Sequence, residues 1–418
     1  MSETQPSRLF TTRDVERFYD YPPVLGDLQP EDVWRREAFN LYVNIPFCLK
    51  FCNYCPYFKH RYERRLISTY VPAVLAEARL LGPRLAGRSV NAVYIGGGTP
   101  SCLSPDQIAA LLAELRRSFA VDEATQVTME FNPATTTPEK LASARENGVT
   151  RTSFGVQSFN NDMLRLLGRV HDGDRARKAV TWAREAGFEH INIDLLFRTP
   201  GQTVAAFLRD VEAALDLGID HLTAFGLNVK PHTNLYDRKD ALPPVPDLET
   251  EVNMLDALDS AAAERGFRRY SIDCLARGEP NRYETFELEV VGIGAGAFSH
   301  INRAVYHNLL DVPAYLETLA QGRQPLQLGK RLSPREEMER YCSISVYMLG
   351  LRETNFRARF GVSISEAFPH VRELVDDGLL EAGQDGYVVT RRGLLYIFNI
   401  SKSFFDPWMR ELLALSER

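Results

Sequence analysis

The chain has 418 residues, 44% hydrophobic and 25% charged, which is ordinary globular usage and excludes a wholly disordered polypeptide. No run approaches about 18 uninterrupted apolar residues, so no transmembrane helix is expected, and residues 1–8 lack the basic stretch and apolar core of a secretory signal. A net charge of −6 argues against a general nucleic-acid or anionic-membrane binder.

Residues 1–40 are polar and proline-bearing, with Tyr19-Asp20-Tyr21-Pro22-Pro23 in the middle, and read as an irregular lead-in. Short β-branched or aromatic runs then predict strands at 41–45, 92–95, 127–131, 152–156, 190–196 and 221–227. Helical spacing fills the intervals at 70–86, 106–119, 173–186 and 204–217. A further helix opens at Thr137-Pro138, and Gly187 and Gly218 stand at expected helix stops. Alternation of this kind predicts an α/β fold with a parallel sheet. Six βα units fit a partial (β/α)6 barrel better than a closed eight-stranded one, and a doubly wound sheet stays open. In either, reactive groups belong at the C-terminal strand ends. The rhythm breaks at Pro243-Pro244-Val245-Pro246. A helix at 248–265 and a glycine-rich strand end near 290–299 follow. The expected division is a lead-in (1–40), a βα core (41–305) and a mainly helical C-terminal domain (306–418) that covers the open side as a lid. Residues 379–390 read as a hairpin like the wing of a winged-helix unit.

Six cysteines occur, at 48, 52, 55, 102, 274 and 342, a usage that fits a reducing, cytoplasmic setting. Cys48, Cys52 and Cys55 form a C-x3-C-x2-C loop directly after the first strand. Zinc wants a fourth ligand, as does a saturated [4Fe–4S] cluster, and no second CxxC exists here. Three thiolates leave one iron open to an exchangeable ligand. The competing readings are three cysteines packed as small hydrophobes, or a zinc site completed by His60. Cys102, Cys274 and Cys342 lie singly and are expected to be buried packing residues.

Other residues gather at the predicted strand ends. Gly96-Gly97-Gly98-Thr99-Pro100 lets backbone approach a ligand, or is simply a tight βα turn. Glu130 ends the third strand and suits hydroxyl recognition or a salt-bridged cap. Gln157 ends the fourth and can donate and accept. Asp194 sits inside an apolar strand, where a carboxylate is costly unless paired; an internal ion pair with Arg169 is one solution. Tyr42 and Tyr54 flank the cysteines and are either core or contact residues. Phe298, in the late glycine segment, could stack on a flat base. Arg198 places a charge near the pocket mouth, as a surface residue or for a substrate carboxylate.

The cysteine loop and these strand endings resemble the radical S-adenosylmethionine (SAM) superfamily, in the HemN-like group around oxygen-independent coproporphyrinogen III dehydrogenase. The resemblance implies a [4Fe–4S] cluster on Cys48, Cys52 and Cys55 whose open iron chelates SAM, reductive cleavage to a 5′-deoxyadenosyl radical, and often two SAM molecules. It implies cofactor contacts from Tyr42, Tyr54, Gly97, Gly98, Thr99, Glu130, Asn228 and Phe298. Gln157, Arg169 and Asp194 would face a second SAM or the substrate, and Tyr54, Gln157 and Asp194 would join the cysteines in catalysis. It further implies an electron donor such as flavodoxin or ferredoxin, and a flat substrate: aromatic, natural product or tetrapyrrole. The chain departs from the group in places. Pro56 replaces a further cysteine of the coproporphyrinogen enzyme, and Pro280-Asn281-Arg282-Tyr283-Glu284-Thr285 lacks the His and Trp of the haem-chaperone branch. The sixth-strand ending through Asn228 and the tail Gly393-Leu394-Leu395-Tyr396-Ile397-Phe398-Asn399 resemble the two-SAM methyltransferase and cyclopropanase branch. The first expectation is therefore methylene transfer from a second SAM to an unsaturated carbon. Coproporphyrinogen III decarboxylation comes second and haem trafficking third.

Overall fold

The computed structural model describes residues 7–10, 13–14, 38–284 and 289–407. Most of the expected lead-in, Tyr19 to Pro23 included, lies outside them, as do Thr285 and the last eleven residues.

Six strands follow in chain order: β1 (Ala38–Ile45), β2 (Ser89–Gly97), β3 (Gln126–Phe131), β4 (Arg151–Gln157), β5 (His190–Phe197) and β6 (His221–Gly226). Each pairs in parallel with the next. Spatial order equals chain order, so there is no switch point, and the doubly wound alternative falls. The helices follow the same sequence. α1 (Arg64–Leu81) packs on α2 (Pro105–Ser118), α2 on α3 (Pro138–Glu146), and α3 on the helix Gly173–Glu185. One sheet with one outer helical layer is the geometry of an opened barrel. The helix expected at 70–86 starts earlier and stops at Leu81, because Pro83 cannot donate an amide hydrogen; a 3-10 turn, Gly82–Leu85, completes it. Gly187 and Gly218 take φ of +83° and +67° at helix stops, as their positions predict.

Two short helices of the core escaped the sequence reading, Asn161–Leu166 and Asn234–Asp237, and the first bears on the site. α4 (Asn161–Leu166) is capped by the Asn160 side chain, which accepts from the Asp162 and Met163 amides. It precedes α5 (Gly173–Glu185) and delivers Leu167-Gly168-Arg169 to the cysteine loop. α6 (Val204–Asp216) and α7 (Leu248–Glu264) pack together on the far side.

The flanks also depart from expectation. Beyond β6 the sheet continues with antiparallel β7 (Cys274–Ala276). Beyond β1 come parallel β8 (Glu289–Ile293) and then antiparallel β9 (Phe298–Ile301), β10 (Ala304–Asn308) and β11 (Leu326–Arg331). The glycine-rich segment is thus a turn between two strands. The 305/306 position falls inside β10, and the sheet runs on to Arg331 before α9 (Pro334–Ser345), with only α8 (Val312–Ala320) intervening. Antiparallel flanks leave the barrel unclosed. A second apolar core joins Tyr341, Phe356, Phe368, Leu374 and Ile400, and a hairpin, Leu380–Gly383 with Gly386–Val389, stands in it. Cys102, Cys274 and Cys342 are buried. Among the described residues no helix is long and apolar enough to cross a membrane.

Glu77 on α1 is a buried polar centre that no motif announces. Its carboxylate accepts from the Gly294 amide (2.7 Å), Asn308 Nδ2 (2.6 Å) and the Tyr315 hydroxyl (2.6 Å). Beside it the Tyr70 hydroxyl donates to the Asn44 carbonyl and accepts from the Ala295 amide, both at 2.8 Å. This network ties α1 and α8 to the end of β1 and to the glycine turn after β8.

Candidate functional site

The cysteine loop leaves β1 and is fixed from two sides. Tyr62 and His60 amides donate to the Cys48 and Pro46 carbonyls. Asn53 donates from its amide to Leu167 and from Nδ2 to Leu166. Gly168, at φ +72°, permits that approach, since a Cβ there would meet the Asn53 side chain at 2.8 Å. The GGGTP turn packs on the same loop. Gly97 has φ +115°, and a Cβ on it would lie 2.0 Å from Asn44 Oδ1. Both sequence readings of these glycines therefore meet in one object: the turn is tight and it faces the cavity. Gly97→Ala is expected to cost more than about 3 kcal/mol and to halve or worse the soluble yield, measured by urea unfolding. Wild-type stability in that variant would refute the packing argument.

The three thiols line one cavity of about 770 Å³. The candidate contact residues of the sequence line it as well: Tyr42, Tyr54, Gly97, Gly98, Thr99, Glu130, Gln157, Arg169, Asp194, Asn228 and Phe298. Arg169 Nη1 donates to Cys52 Sγ at 3.2 Å, and Nη2 donates to the Gly155 carbonyl. Arg169 and Asp194 are thus not a contact pair; Asp194 instead accepts from Asn192 at 2.7 Å, with Ser153 at 3.4 Å. The Thr99 hydroxyl lies 3.6 Å from Cys48 Sγ. Lys59 donates to the Cys55 carbonyl at 2.6 Å. His60 turns Nδ1 to the Arg61 carbonyl and its ring to Phe47. Among the described residues no three His, Cys, Asp or Glu side chains, the three cysteines included, are gathered closely enough to hold a single ion.

The donor set fits a cluster. Three half-buried thiols face one space, no fourth cysteine lines it, and an arginine N–H is directed at a sulfur. Burial pushes the Cys48 thiol up to about 11 and raises Cys55 as well. Cluster binding must therefore expel protons, and the Arg169 and Lys59 charges favour that exchange.

Beside the cavity, Tyr94 donates to Glu130 at 2.9 Å and forms a three-ring cluster with Tyr42 (stacked, 6.3 Å) and Tyr283 (tilted, 4.9 Å), which also meet each other at 6.3 Å. Burial, then the neighbouring Asp194, raises Glu130 to about 7, while burial against the pull of Arg151 raises Asp194 to about 6. Gln157 and Arg198 hold φ of +72° and +61° at the ends of β4 and β5. Such backbone costs about 1–3 kcal/mol and concentrates at functional sites. Phe298 lies against His307 at 5.1 Å. Sequence reasoning missed Arg13, Tyr283 and the C-terminal Ile397 and Phe398, which also line the cavity. Of these, Tyr283 carried a signal, standing in the stretch where the haem-chaperone branch has its His and Trp, and Ile397 and Phe398 stood in the tail stretch that carries a family resemblance.

A singly wound open barrel with three thiols on the loop after its first strand sets sulfur ligands beside a cavity with room for a small molecule. Residues 42–214 match the model of the radical SAM superfamily, and residues 346–396 match the HemN C-terminal domain. The chain is 30% identical over 385 residues to the haem chaperone HemW of Bacillus subtilis, covering 89% of this chain and 99% of the relative. It is 26% identical over 398 residues to the oxygen-independent coproporphyrinogen III oxidase of Bradyrhizobium diazoefficiens, covering 88% and 87%. The solved coproporphyrinogen III oxidase (HemN) of Escherichia coli superposes with a TM-score of 0.77 at 26% identity, covering 89% of this chain and 91% of that one. The chain belongs to the radical SAM superfamily, in its HemN-like group. That superfamily is built on a [4Fe–4S] cluster and SAM.

Proposed function

We propose that this protein cleaves SAM reductively and directs the radical at a carboxylate-bearing tetrapyrrole, oxygen-independent decarboxylation of coproporphyrinogen III being the reaction. The relatives carry haem-chaperone and coproporphyrinogen-oxidase names, so methylene transfer, the first sequence expectation, gives way. The observation that carries the reading is the cavity lining. Eight Lys or Arg side chains face it against four Asp or Glu, beside an apolar wall of Leu255, Ile344, Leu394, Ile397 and Phe398. Cations around an apolar surface suit a flat ring with acidic arms.

In this reading Cys48, Cys52 and Cys55 hold the cluster. Held there, the cluster would supply one electron to cleave SAM to methionine and a 5′-deoxyadenosyl radical; that radical would take a hydrogen atom from the substrate, which would then lose carbon dioxide and one electron to an external one-electron acceptor. Arg169 steadies the Cys52 thiolate. Gly97, Gly98 and Thr99 offer backbone to the methionine end, Glu130 accepts from the ribose, and Phe298 covers the adenine. Tyr42 and Tyr54 close the space around SAM. Gln157, Asp194 and Asn228 face the substrate side, where a second SAM is the alternative occupant. The C-terminal domain contributes the apolar wall and roofs the open barrel.

A second reading, haem binding and delivery, is favoured by the 30–32% identity to haem chaperones. The two separate in one assay. Reconstituted protein, dithionite and SAM are incubated without oxygen, with coproporphyrinogen III or with haem, and products are read by mass spectrometry. The proposal expects 5′-deoxyadenosine and carbon dioxide that depend on the porphyrinogen. Haem retention without porphyrinogen-dependent cleavage moves the conclusion to the second reading. S-adenosylhomocysteine formed with deoxyadenosine restores methylene transfer and overturns both.

A further inference from the structure

Glu251, near the start of α7, is 5% exposed and faces two arginines from distant parts of the chain. Arg13 Nη1 and Nη2 lie 2.7 and 2.6 Å from its two oxygens, while Arg13 Nε donates to the Leu395 carbonyl. Arg198 Nε stands 3.2 Å from Glu251 Oε2, yet its N–H is misaligned, and no acceptor among the described residues takes that buried hydrogen. Arg198 directly follows β5 in a left-handed backbone conformation, so the fold spends strain to hold it at the cavity wall.

Among the described residues, one carboxylate between two largely buried guanidiniums leaves a positive charge in excess. A buried charge without a full complement of partners is costly, and an entering anion relieves that cost. Burial, and after it the neighbouring Arg13 opposed by Glu251, already holds Arg198 below the usual arginine range. The surroundings are apolar. Leu255 lies one helical turn beyond Glu251, and Leu394 and Ile397 flank the Leu395 carbonyl that Arg13 holds; all three line the cavity.

We infer that Arg13 and Arg198 form a carboxylate subsite for a flat apolar substrate, occupied in the free protein by Glu251, which an incoming carboxylate displaces from one of the two arginines. The planar guanidinium fork matches a carboxylate, and a second carboxylate beside Glu251 brings two guanidiniums and two carboxylates to charge balance. The inference rests on the tetrapyrrole reading and adds where an acidic arm is held.

The test titrates the full-length protein with coproporphyrin III and, separately, with its tetramethyl ester, following porphyrin fluorescence. The wild-type protein is expected to bind the acid at least about tenfold more tightly than the ester. Arg198→Gln and Arg13→Gln should each lose most of that preference, and Arg198→Lys should recover part of it. Glu251→Gln should bind the acid more tightly than the wild type, because the internal competitor is gone; a merely structural ion pair has no reason to do this. Wild-type preference retained in both arginine variants overturns the subsite, as does weaker acid binding by a Glu251→Gln protein that melts like the wild type. Should Glu251→Gln fail to fold, the arginine variants decide alone. Equal wild-type binding of acid and ester refutes the subsite and leaves the tetrapyrrole reading standing, whereas binding of neither refutes both.

Discussion

Cys52→Ser is expected to fold, to hold no four-iron cluster after anaerobic reconstitution, and to form no 5′-deoxyadenosine above the blank. Cys52 is half-buried on a cavity-lining loop rather than in the core, so its sulfur contributes little packing. A hydroxyl is a hard ligand that does not replace thiolate toward iron–sulfur clusters. Removal of Arg169 provides a graded comparison. Its guanidinium holds both Cys52 Sγ and the Gly155 carbonyl, so Arg169→Gln should weaken cluster retention about 10- to 100-fold without abolishing it. Iron and sulfide content read after gel filtration separates the two. A Cys52→Ser protein with full iron would refute the assignment of the ligand set.

Glu77→Ala should destabilise the protein far more than either of those cluster-site variants. It strands the Gly294 amide, Asn308 Nδ2 and the Tyr315 hydroxyl inside the protein. Buried donors left without acceptors cost about 1–3 kcal/mol each, and a loss of about 4 kcal/mol in urea unfolding is expected. The group also sets a pH dependence. Burial, opposed by its three donors, raises Glu77 from 4.5 to about 7. The folded state thus binds this proton more tightly than the unfolded chain. The stabilisation is complete below about pH 4.5 and is lost as pH rises through 7. The stability of the wild type relative to Glu77→Gln should therefore fall by about 3 kcal/mol between pH 4 and pH 8. A pH-independent difference would mean that the carboxylate stays ionised throughout.

The parallel strands were legible because each is a short, largely β-branched or aromatic run, and Glu130 and Gln157 stand at or beside the ends of two of them; Tyr42 and Asp194, inside their strands, were singled out by the family resemblance. The antiparallel flank was not. Leu326–Arg331 is six residues with a glycine and two cations, a pattern that carries little strand signal until β10 lies beside it. Glu77 was invisible for another reason. A glutamate on an amphipathic helix reads as a solvated face, and its acceptor role depends on Asn308 and Tyr315, more than two hundred residues away. Arg13 fell in a polar segment with no periodicity. Arg198 was legible as a charge near the pocket mouth, but whether it met water or a carboxylate depended on Glu251, fixed by a helix in another part of the chain.

Arg13 and Phe398 line the same cavity although they stand near opposite ends of the described residues. The chamber is therefore closed by two segments that no short-range folding unit can bring together, and loosening either one opens the wall of the same room.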